Sequence, residues 1–507
     1  MELIALLCLH ALALILSYSR EEAMVKRALW PLLMALLLDT LFLFKAVVHQ
    51  EASLILSFAL ITLVEFLTLV VFTFAWDYLA GEKNRTYFLR LILSVLASVV
   101  ILLLSQSLIT LYLSWCVIGL LVNKLLLFYP ERPHTHAIAH KHFFNELIAN
   151  SLMGVGFIML AVHFSTLSIP QISGYLSTVT DTYSSVALLF IVLAFLIKTA
   201  LMPFHGWLIQ VMEVPTPVSA LMHAGIVNLS GMVWLRLSPW WEHSPYLRDF
   251  VALVAFMSLL LSSIVMLTRV SIKVRLAWST TAQMSFLLFE CAQGWYEMAF
   301  IHLVGHSLYK AQAFLLSGNR VNEQPLKKQI KGIMGYVSSS FYSPLISLFI
   351  SFALFVLFNQ LLNTHFGFYS LPIDQMVFLS LLIAPALWLM QKDQVLSVGV
   401  RVVMQGLFIL IFMLLHSLLH PLFTHQVNPT NLLDYLLLAL LLTYIVHWLI
   451  LSKQYLARSS TLNSLAYEGF YLDALWTYSI QRPLSRFIQQ YNHQLSTFLG
   501  KLLHEAP

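Results

Sequence analysis

Apolar stretches separated by short polar loops recur along the chain from Met1 to Leu451. An α-helix needs about 20 mostly apolar residues to cross the hydrocarbon core of a bilayer, and these stretches approach that length. The pattern predicts an all-α polytopic membrane protein with about 14–15 transmembrane helices. The predicted spans are residues 2–18, 30–47, 52–78, 89–104, 108–128, 147–164, 184–201, 215–235, 250–267, 275–289, 296–316, 342–361, 376–390, 396–420 and 431–451.

The pattern changes after Leu451, where aromatic residues mix with polar ones in SLAYEGFYLDALWTYSIQRPLSRF. Such an amphipathic segment cannot span a membrane, and it either lies along the membrane surface or forms a docking surface for a cytoplasmic partner. We therefore predict a transmembrane domain at 1–451, with its core at 89–390, and an amphipathic cytoplasmic tail at 452–507.

Composition excludes a water-soluble fold, because 59% of the 507 residues are hydrophobic and only 10% are charged, against roughly 25% in soluble domains. No glycine-rich nucleotide-binding motif occurs, so nucleotide energy would have to come through another chain. Cys8, Cys116 and Cys291 lack C-x-x-C spacing, which argues against disulfides, zinc and iron–sulfur ligation. No metal site or other cofactor is expected in this chain.

Basic residues are distributed unevenly between the two sets of loops. The loops after even-numbered spans carry only Lys45, Arg236 and Arg248, and the other loop lysines and arginines follow odd-numbered spans or lie in the tail. Because Lys and Arg accumulate on the cytoplasmic side, the N-terminus is expected outside the cell inner membrane and the C-terminus in the cytoplasm. The net charge of +5 then reflects topology and indicates no nucleic-acid partner.

Lys198 and Lys310 are the lysines that fall well inside apolar segments. A lysine at mid-bilayer costs about 2.5–3.5 kcal/mol on insertion scales, and such residues usually face a cavity and mark an ion path. Lys310 follows His302 and His306 at a spacing of four residues, which places all three side chains on one helix face. Titratable groups on successive turns suit a proton relay. The alternatives are a fixed ion pair for each lysine, and a zinc site for the two histidines, which lacks an evident third ligand.

Around Lys198 the chain contains three prolines, Pro203, Pro215 and Pro217. Each removes a helical hydrogen bond, so the two spans are expected to be interrupted or kinked there. Broken helices within membranes line wet cavities in ion-coupled transporters. The ionisable residues that border the predicted break are Lys198, His205, Glu213 and His223. A purely structural proline hinge is the alternative.

Two acidic residues, Asp39 and Glu65, lie within predicted spans. Each is either the counter-charge of a lysine or a protonated, hydrogen-bonded core residue. The histidine-rich stretch PHTHAIAHKH resembles a metal-binding sequence, but it is interpreted as a solvated cytoplasmic loop.

The stretches KTALMPFHGWL, PTPVSALMHAG, IKVRLAWSTTAQM and HLVGHSLYKAQAFLLSG resemble the antiporter-type membrane subunits of complex I and Mrp antiporters. The resemblance covers most of Leu147–Gly318 and implies antiporter-like inverted repeats. It also implies that Lys198, His223, His302, His306 and Lys310 form a central hydrophilic axis that conducts ions.

Within that family, LLLFYPERP, LAWSTTAQMSF and HSLYKAQAFLLSG are similar to the membrane subunit of DAB inorganic-carbon accumulation complexes. This resemblance implies a subunit that passes H+ or Na+ down its gradient. A cytoplasmic β-carbonic-anhydrase-like partner would use zinc to hydrate CO2 to bicarbonate, so catalysis and zinc would belong to that partner. The rival readings are a proton-translocating subunit of a complex I-like or hydrogenase-type redox complex, an Mrp-type cation/proton antiporter, and a passive membrane scaffold.

The chain departs from the family pattern at several positions. A fifth-span glutamate is replaced by Cys116 in LYLSWCVIGLL, so the usual glutamate–lysine pair with Lys198 is predicted not to form. Glu146 lies beside the sixth-span motif, and residues 342–390 contain no lysine or arginine for a second half-channel. These departures favour a simplified, single-path channel.

Overall fold

The computed structural model describes residues 2–19, 22–49, 52–178, 181–210, 214–317, 343–389, 398–423, 432–442 and 460–486. These residues are almost entirely helical, and the one extended contact among them is an isolated antiparallel bridge between Ser107 and Ser168. The long apolar runs form helices because a helix satisfies every backbone hydrogen bond within its own segment, as a hydrocarbon environment requires.

The helices are numbered in chain order. They are α1 Glu2–Ser17, α2 Glu22–Arg27, α3 Leu29–His49, α4 Ala52–Tyr78, α5 Arg85–Leu104, α6 Leu108–Leu126, α7 Pro133–Phe164, α8 Ile169–Leu176, α9 Thr182–Lys198, α10 Gly206–Ile209, α11 Thr216–Ala224, α12 Leu229–Arg236, α13 Pro245–Leu267, α14 Ile272–Gln293, α15 Tyr296–Leu315, α16 Ser343–Phe366, α17 Ile373–Leu389, α18 Val398–Leu419, α19 Leu433–Leu442, α20 Ser460–Tyr467 and α21 Leu472–Trp476. Short 3-10 turns occur at Ile226–Asn228, Ser238–Trp240, His420–Leu422 and Gly469–Tyr471, and a π-helical turn occurs at Thr477–Gln481.

Each predicted span overlaps one of these helices, which confirms the all-α polytopic fold. Nine helices among the described residues are long and apolar enough to cross a membrane, and four shorter apolar helices accompany them. Helix α3 illustrates why the fold needs lipid. It buries Leu32 and Phe42 on one side, while Leu37, Leu41 and Phe44 on the other side are exposed to the surroundings. An exposed stripe of this kind is stable only against hydrocarbon, because in water it would promote aggregation.

The predicted interruption around Lys198 is present, but the prolines do not all act as expected. Helix α9 ends at Lys198, and the chain then runs without regular helix to Gly206. Pro215 and Pro217 do not kink a span, because they lie at the start of α11, where a missing N–H donor costs nothing. The second span breaks instead at Gly225, where α11 ends and a 3-10 turn leads into α12. The Asn228 side chain donates to the Ala224 carbonyl at this break, at 2.8 Å.

The histidine-rich stretch is helical, so its interpretation as a cytoplasmic loop was wrong. His134, His136, His140 and His142 lie in the first turns of α7, which extends well beyond the predicted span. His142 is buried, whereas His134 and His136 are exposed. The apolar criterion missed this part of the helix because its residues are polar.

The described part of the C-terminal segment, residues 460–486, packs against the membrane domain. Lys141 and Asp473 form an ion pair at 2.7 Å, and the Trp476 indole donates to Asn145 Oδ1 at 2.9 Å. Gly206 leaves room for this segment, because a Cβ at this position would clash with the Asp473 carboxylate. Residues 460–486 therefore cover the loop that follows α9.

Candidate ion-conduction site

Lys198 is buried at the C-terminal end of α9, and it has a carboxylate partner. Its Nζ lies 2.7 Å from Glu146 Oε2 on α7, and the ammonium group stands over the Trp115 ring at 4.5 Å. Only 2% of the Lys198 side chain and 10% of the Glu146 side chain are exposed. An ion pair this deeply buried is strongly coupled, because the surrounding dielectric is low.

Lys198 therefore has a glutamate partner, although it is not the fifth-span glutamate whose absence the sequence indicated. Cys116 replaces the carboxylate on the fifth span, but the next helix supplies Glu146 at the same lysine. Glu146 also faces His142 one helical turn earlier, with 3.6 Å between the carboxylate and the imidazole. The four-residue spacing of His142 and Glu146 is visible in the sequence, and it could have indicated a polar face on α7.

The start of α9 is fixed by a capping box in which Asp181 accepts from the Ser184 backbone N–H at 2.9 Å. Hydrogen bonds from the Ser184 side chain and backbone lower the pKa of Asp181, so this cap stays charged at neutral pH. The cap sets where the helix begins. Seventeen residues later the helix reaches Lys198.

The predicted polar face of α15 is formed as the four-residue spacing requires. Lys310 and His306 are buried, and the rings of His302 and His306 lie 6.2 Å apart. Lys310 Nζ donates to the carbonyl oxygen of Leu276 at 3.1 Å and to the Ser279 hydroxyl. Among the described residues no carboxylate lies within ion-pairing distance of Lys310. The two intramembrane lysines therefore differ, since one is held by a carboxylate and the other by neutral oxygens.

His302 has two partners that the sequence pattern missed. Its Nδ1 lies 2.7 Å from Glu290 Oε2, and its Nε2 lies 2.8 Å from Gln283 Oε1, both on α14. Glu290 is almost fully buried. It occurs near the end of a predicted span with no periodic signal of its own, so only the packing of α14 against α15 brings it to the histidine.

The break in the second span contacts α15 directly. Asn228, in the 3-10 turn after Gly225, donates to the Ser307 hydroxyl at 2.7 Å and to the Ala224 carbonyl at 2.8 Å. His223, one turn before, is buried and stacks on the Phe314 ring at 4.3 Å. The structure therefore brings His223 to the helix that carries His306 and Lys310.

The remaining residues predicted to border the break lie in different parts of the structure. His205 is buried with its ring against Trp278 at 4.8 Å, and Pro203 lies in the non-helical loop after α9. Pro215 and Pro217 begin α11. Glu213 lies outside the described residues. The loop thus supplies one buried imidazole, which packs against α14.

Asp39 and Glu65 do not contact either intramembrane lysine. Glu65 Oε1 lies 2.9 Å from His10 Nε2, which joins α4 to α1. The Thr62 hydroxyl donates to Asp39 Oδ2, which joins α4 to α3. Of the two predictions left open for these carboxylates, the structure favours hydrogen bonding within the core. They form a separate polar cluster among the N-terminal helices.

Near the C-terminal segment, Arg269 stands over the rings of Trp278 and Tyr467 at 5.2 Å and 5.1 Å. Burial lowers the pKa of its guanidinium below the ordinary value, and the group remains charged at neutral pH.

Among the described residues no group of three or more histidine, cysteine, aspartate or glutamate side chains could hold a metal ion.

These contacts define two clusters of mostly buried titratable side chains between residues 142 and 310. One contains His142, Glu146 and Lys198, and the other contains His223, Glu290, His302, His306 and Lys310. The ring nitrogens of His306 have no hydrogen-bond partner among the described residues. An imidazole so placed can accept or donate a proton through a transient partner, which is what ion transfer along this face requires.

Comparisons with known proteins show which proteins this chain resembles. The chain is 32% identical over 410 residues to the probable inorganic carbon transporter subunit DabB2 of Halothiobacillus neapolitanus, covering 78% of this chain and 72% of that protein. It is 38% identical over 279 residues to the probable inorganic carbon transporter subunit DabB of Hydrogenovibrio crunogenus, where the alignment spans 54% of each chain. It is 27% identical over 300 residues to the chloroplastic NAD(P)H-quinone oxidoreductase subunit 5 of Chara vulgaris, covering 56% of this chain and 45% of that protein.

The fold is similar to that of a chain in the Mrp complex from Dietzia sp. DQ12-45-1b, with a TM-score of 0.57, 17% identity and coverage of 99% of this chain and 57% of that one. A chain of the archaeal membrane-bound sulfane sulfur reductase gives a TM-score of 0.54 at 14% identity, covering 93% of this chain and 97% of that one. Residues 105–371 match the family described as NADH:quinone oxidoreductase/Mrp antiporter, transmembrane. This match covers more than half of the chain and contains both lysine sites, and the chain therefore belongs to the NADH:quinone oxidoreductase/Mrp antiporter family.

Proposed function

We propose that this chain is the membrane subunit of an energy-coupled inorganic-carbon uptake complex. It conducts H+ or Na+ across the cell inner membrane, with the N-terminus outside and the C-terminus in the cytoplasm. A zinc-dependent, β-carbonic-anhydrase-like partner in the cytoplasm hydrates CO2 to bicarbonate with the energy released. The names of the inorganic-carbon transporter relatives support the substrate class, and the partner follows from the resemblance noted above.

The observation that carries ion conduction is the environment of Lys310. It is 1% exposed, and its ammonium group is held by a carbonyl and a hydroxyl oxygen. A permanently charged, structural lysine would be expected to face a carboxylate, because burying an unpaired charge is costly. Neutral oxygens tolerate both the charged and the uncharged amine. Lys310 is therefore suited to load and release an ion.

The membrane potential supplies enough free energy to drive CO2 hydration in one direction. One elementary charge moving through about 150 mV releases about 3.5 kcal/mol, at 2.3 kcal/mol per 100 mV. Since 1.36 kcal/mol corresponds to a factor of ten, this energy biases a coupled reaction by roughly 300-fold. A bias of that size would make CO2 hydration nearly unidirectional.

Replacement of Lys310 tests the proposal in cells that lack carbonic anhydrase and depend on this complex for bicarbonate. Lys310→Gln is expected to abolish gradient-driven bicarbonate accumulation. Lys310→Arg is expected to do the same, because arginine keeps the charge but does not release its proton. The matched control is Lys273→Gln, a lysine on the adjacent α14 that donates to Thr216 at 3.1 Å. Normal accumulation in Lys310→Gln would refute ion conduction through this residue.

A redox-linked proton pump is the second candidate, and the similarity to the quinone oxidoreductase subunit favours it. The two candidates predict different companions for the full chain. A zinc-containing chain that co-purifies with it supports inorganic-carbon uptake, whereas iron–sulfur or quinone-binding chains support the redox function.

A further inference from the structure

A second cluster of ionisable side chains lies at the far end of α15 from Lys310. Glu297, in the first turn of α15, forms an ion pair with His420, just beyond the end of α18, with 2.9 Å between Oε1 and Nδ1. The Tyr369 ring, from the loop between α16 and α17, stacks on His420 at 3.5 Å. His416, one turn earlier on α18, lies 6.2 Å from His420 and is almost parallel to it. Three chain segments thus converge here: the start of α15, the loop before α17 and the end of α18.

This cluster lies at the opposite end of the helical bundle from residues 460–486. The C-terminal segment contacts the start of α7, through Lys141 and Asn145, and the loop after α9. Lys310 contacts Leu276 near the start of α14, whereas Glu297 lies in the first turn of α15, just beyond the opposite end of α14. If the C-terminal segment is cytoplasmic, the cluster faces the outside.

Exposure falls from the surface inwards across the cluster. The side chains of His420 and Glu297 are 19% and 11% exposed. His416 is only 2% exposed, and its Nδ1 has no hydrogen-bond partner among the described residues. The Glu297–His420 pair is therefore accessible to water. His416 is placed to exchange a proton with a group deeper in the membrane.

The depth of His416 matches that of His302. Helices α15 and α18 run in opposite directions and pack against each other. With a rise of 1.5 Å per residue, His302 lies about 7.5 Å further in than Glu297, and His416 lies about 6 Å further in than His420. The two histidines therefore lie at about the same level on adjacent helices. His302 in turn holds the buried Glu290 and continues the polar face towards Lys310.

Tyr369 completes the outer wall of the cluster. Burial, together with the negative charges of Glu297 and Asp374, raises the pKa of its phenol above the ordinary value. The ring therefore stays uncharged at physiological pH and packs on His420 without opposing its protonation. An aromatic cover of this kind restricts access to one side of the imidazole.

We propose that Glu297, His420, Tyr369 and His416 form the outer port through which protons enter the path that continues at His302. In this port the Glu297–His420 pair captures a proton from water, and His416 passes it inwards to the level of His302. No bond other than N–H or O–H bonds is made or broken. The port rests on the proposed ion conduction and adds its access from the outer surface.

Two groups of variants in the full chain, purified with whichever subunit accompanies it and reconstituted in vesicles, test the port through proton flux driven by a membrane potential. His420→Gln and His416→Gln are each expected to reduce the proton flux at least about tenfold. This threshold is lower than the 10²–10⁴-fold contribution of a fully engaged acid–base group. His365→Gln is the matched control, because this histidine is exposed near the end of α16 on the same side. It is expected to leave the flux unchanged.

A labelling experiment keeps the proposal testable if a variant folds poorly. In a chain whose three cysteines are replaced, His420→Cys is expected to react with a membrane-impermeant maleimide from the side opposite the C-terminal segment. Labelling from the same side as that segment would overturn the port. Flux within twofold of the unaltered chain in both His420→Gln and His416→Gln would also overturn it. If Lys310→Gln loses flux while both port variants conduct normally, only the port fails. If Lys310→Gln itself conducts normally, the proposed function fails as well.

Discussion

The ion pair between Glu146 and Lys198 gives the sharpest quantitative prediction, because the chain contains a second pair of the same length. Lys198 Nζ and Glu146 Oε2 are 2.7 Å apart, and Lys141 Nζ and Asp473 Oδ2 are also 2.7 Å apart. The side chains of the first pair are 2% and 10% exposed, and those of the second are 18% and 30% exposed. The two pairs have the same length and differ strongly in exposure, so the comparison tests the effect of burial.

At 2.7 Å, Coulomb's law gives an attraction of about 6 kcal/mol at an effective dielectric constant of 20 and about 1.5 kcal/mol in water. Removing one partner of a buried pair typically costs about 3–5 kcal/mol, because the other charge is left unpaired. For a pair near the surface, salt screening and side-chain entropy reduce the coupling to about 0.2–1 kcal/mol. Glu146→Gln is therefore expected to lower the free energy of unfolding by about 3–5 kcal/mol.

Double-mutant cycles measured by denaturant titration in mixed micelles provide the assay. Glu146→Gln with Lys198→Met is expected to give a coupling energy of at least about 2 kcal/mol. The control cycle, Asp473→Asn with Lys141→Met, is expected to give less than about 1 kcal/mol. Equal coupling energies in the two cycles would refute the reasoning that burial makes the first pair strong. Additive effects at Glu146 and Lys198 would show that the contact does not couple the two side chains.

Three further predictions follow from other contacts. Gly206→Ala is expected to displace the C-terminal segment, because the new Cβ would clash with the Asp473 carboxylate. Limited proteolysis should show faster cleavage within 460–486, and unchanged cleavage would contradict the prediction. Asn228→Ala is expected to lower the free energy of unfolding by about 1–3 kcal/mol, because the 2.7 Å hydrogen bond to Ser307 is lost. Thermal unfolding should show that adding Ser307→Ala to this variant lowers the stability little further. Glu65→Gln is expected to leave proton flux in vesicles unchanged, since this carboxylate lies in the N-terminal cluster with a histidine at 2.9 Å; a loss of flux in correctly folded protein would place it on the ion path.

The match between predicted spans and helices has a direct physical cause. A bilayer accepts only segments whose backbone is hydrogen-bonded internally and whose length fits the hydrocarbon, so apolar run length identifies the helices. The polar start of α7 was missed for the same reason, because it extends the helix beyond the apolar run. Likewise, Pro215 and Pro217 were expected to interrupt or kink a span, but they lie at the start of α11, and the sequence did not distinguish a helix start from a kink.

The sequence by itself determined which segments are helical and that His302, His306 and Lys310 share one face, because both properties depend on local length and on the 3.6-residue period. Only the tertiary structure decided which residues meet across helices. Glu146 reaches Lys198, Glu290 reaches His302, and Glu297 reaches His420 from positions 12 to 123 residues apart. Such pairings depend on how neighbouring helices rotate and slide as their side chains interlock, which a pattern within one helix does not specify.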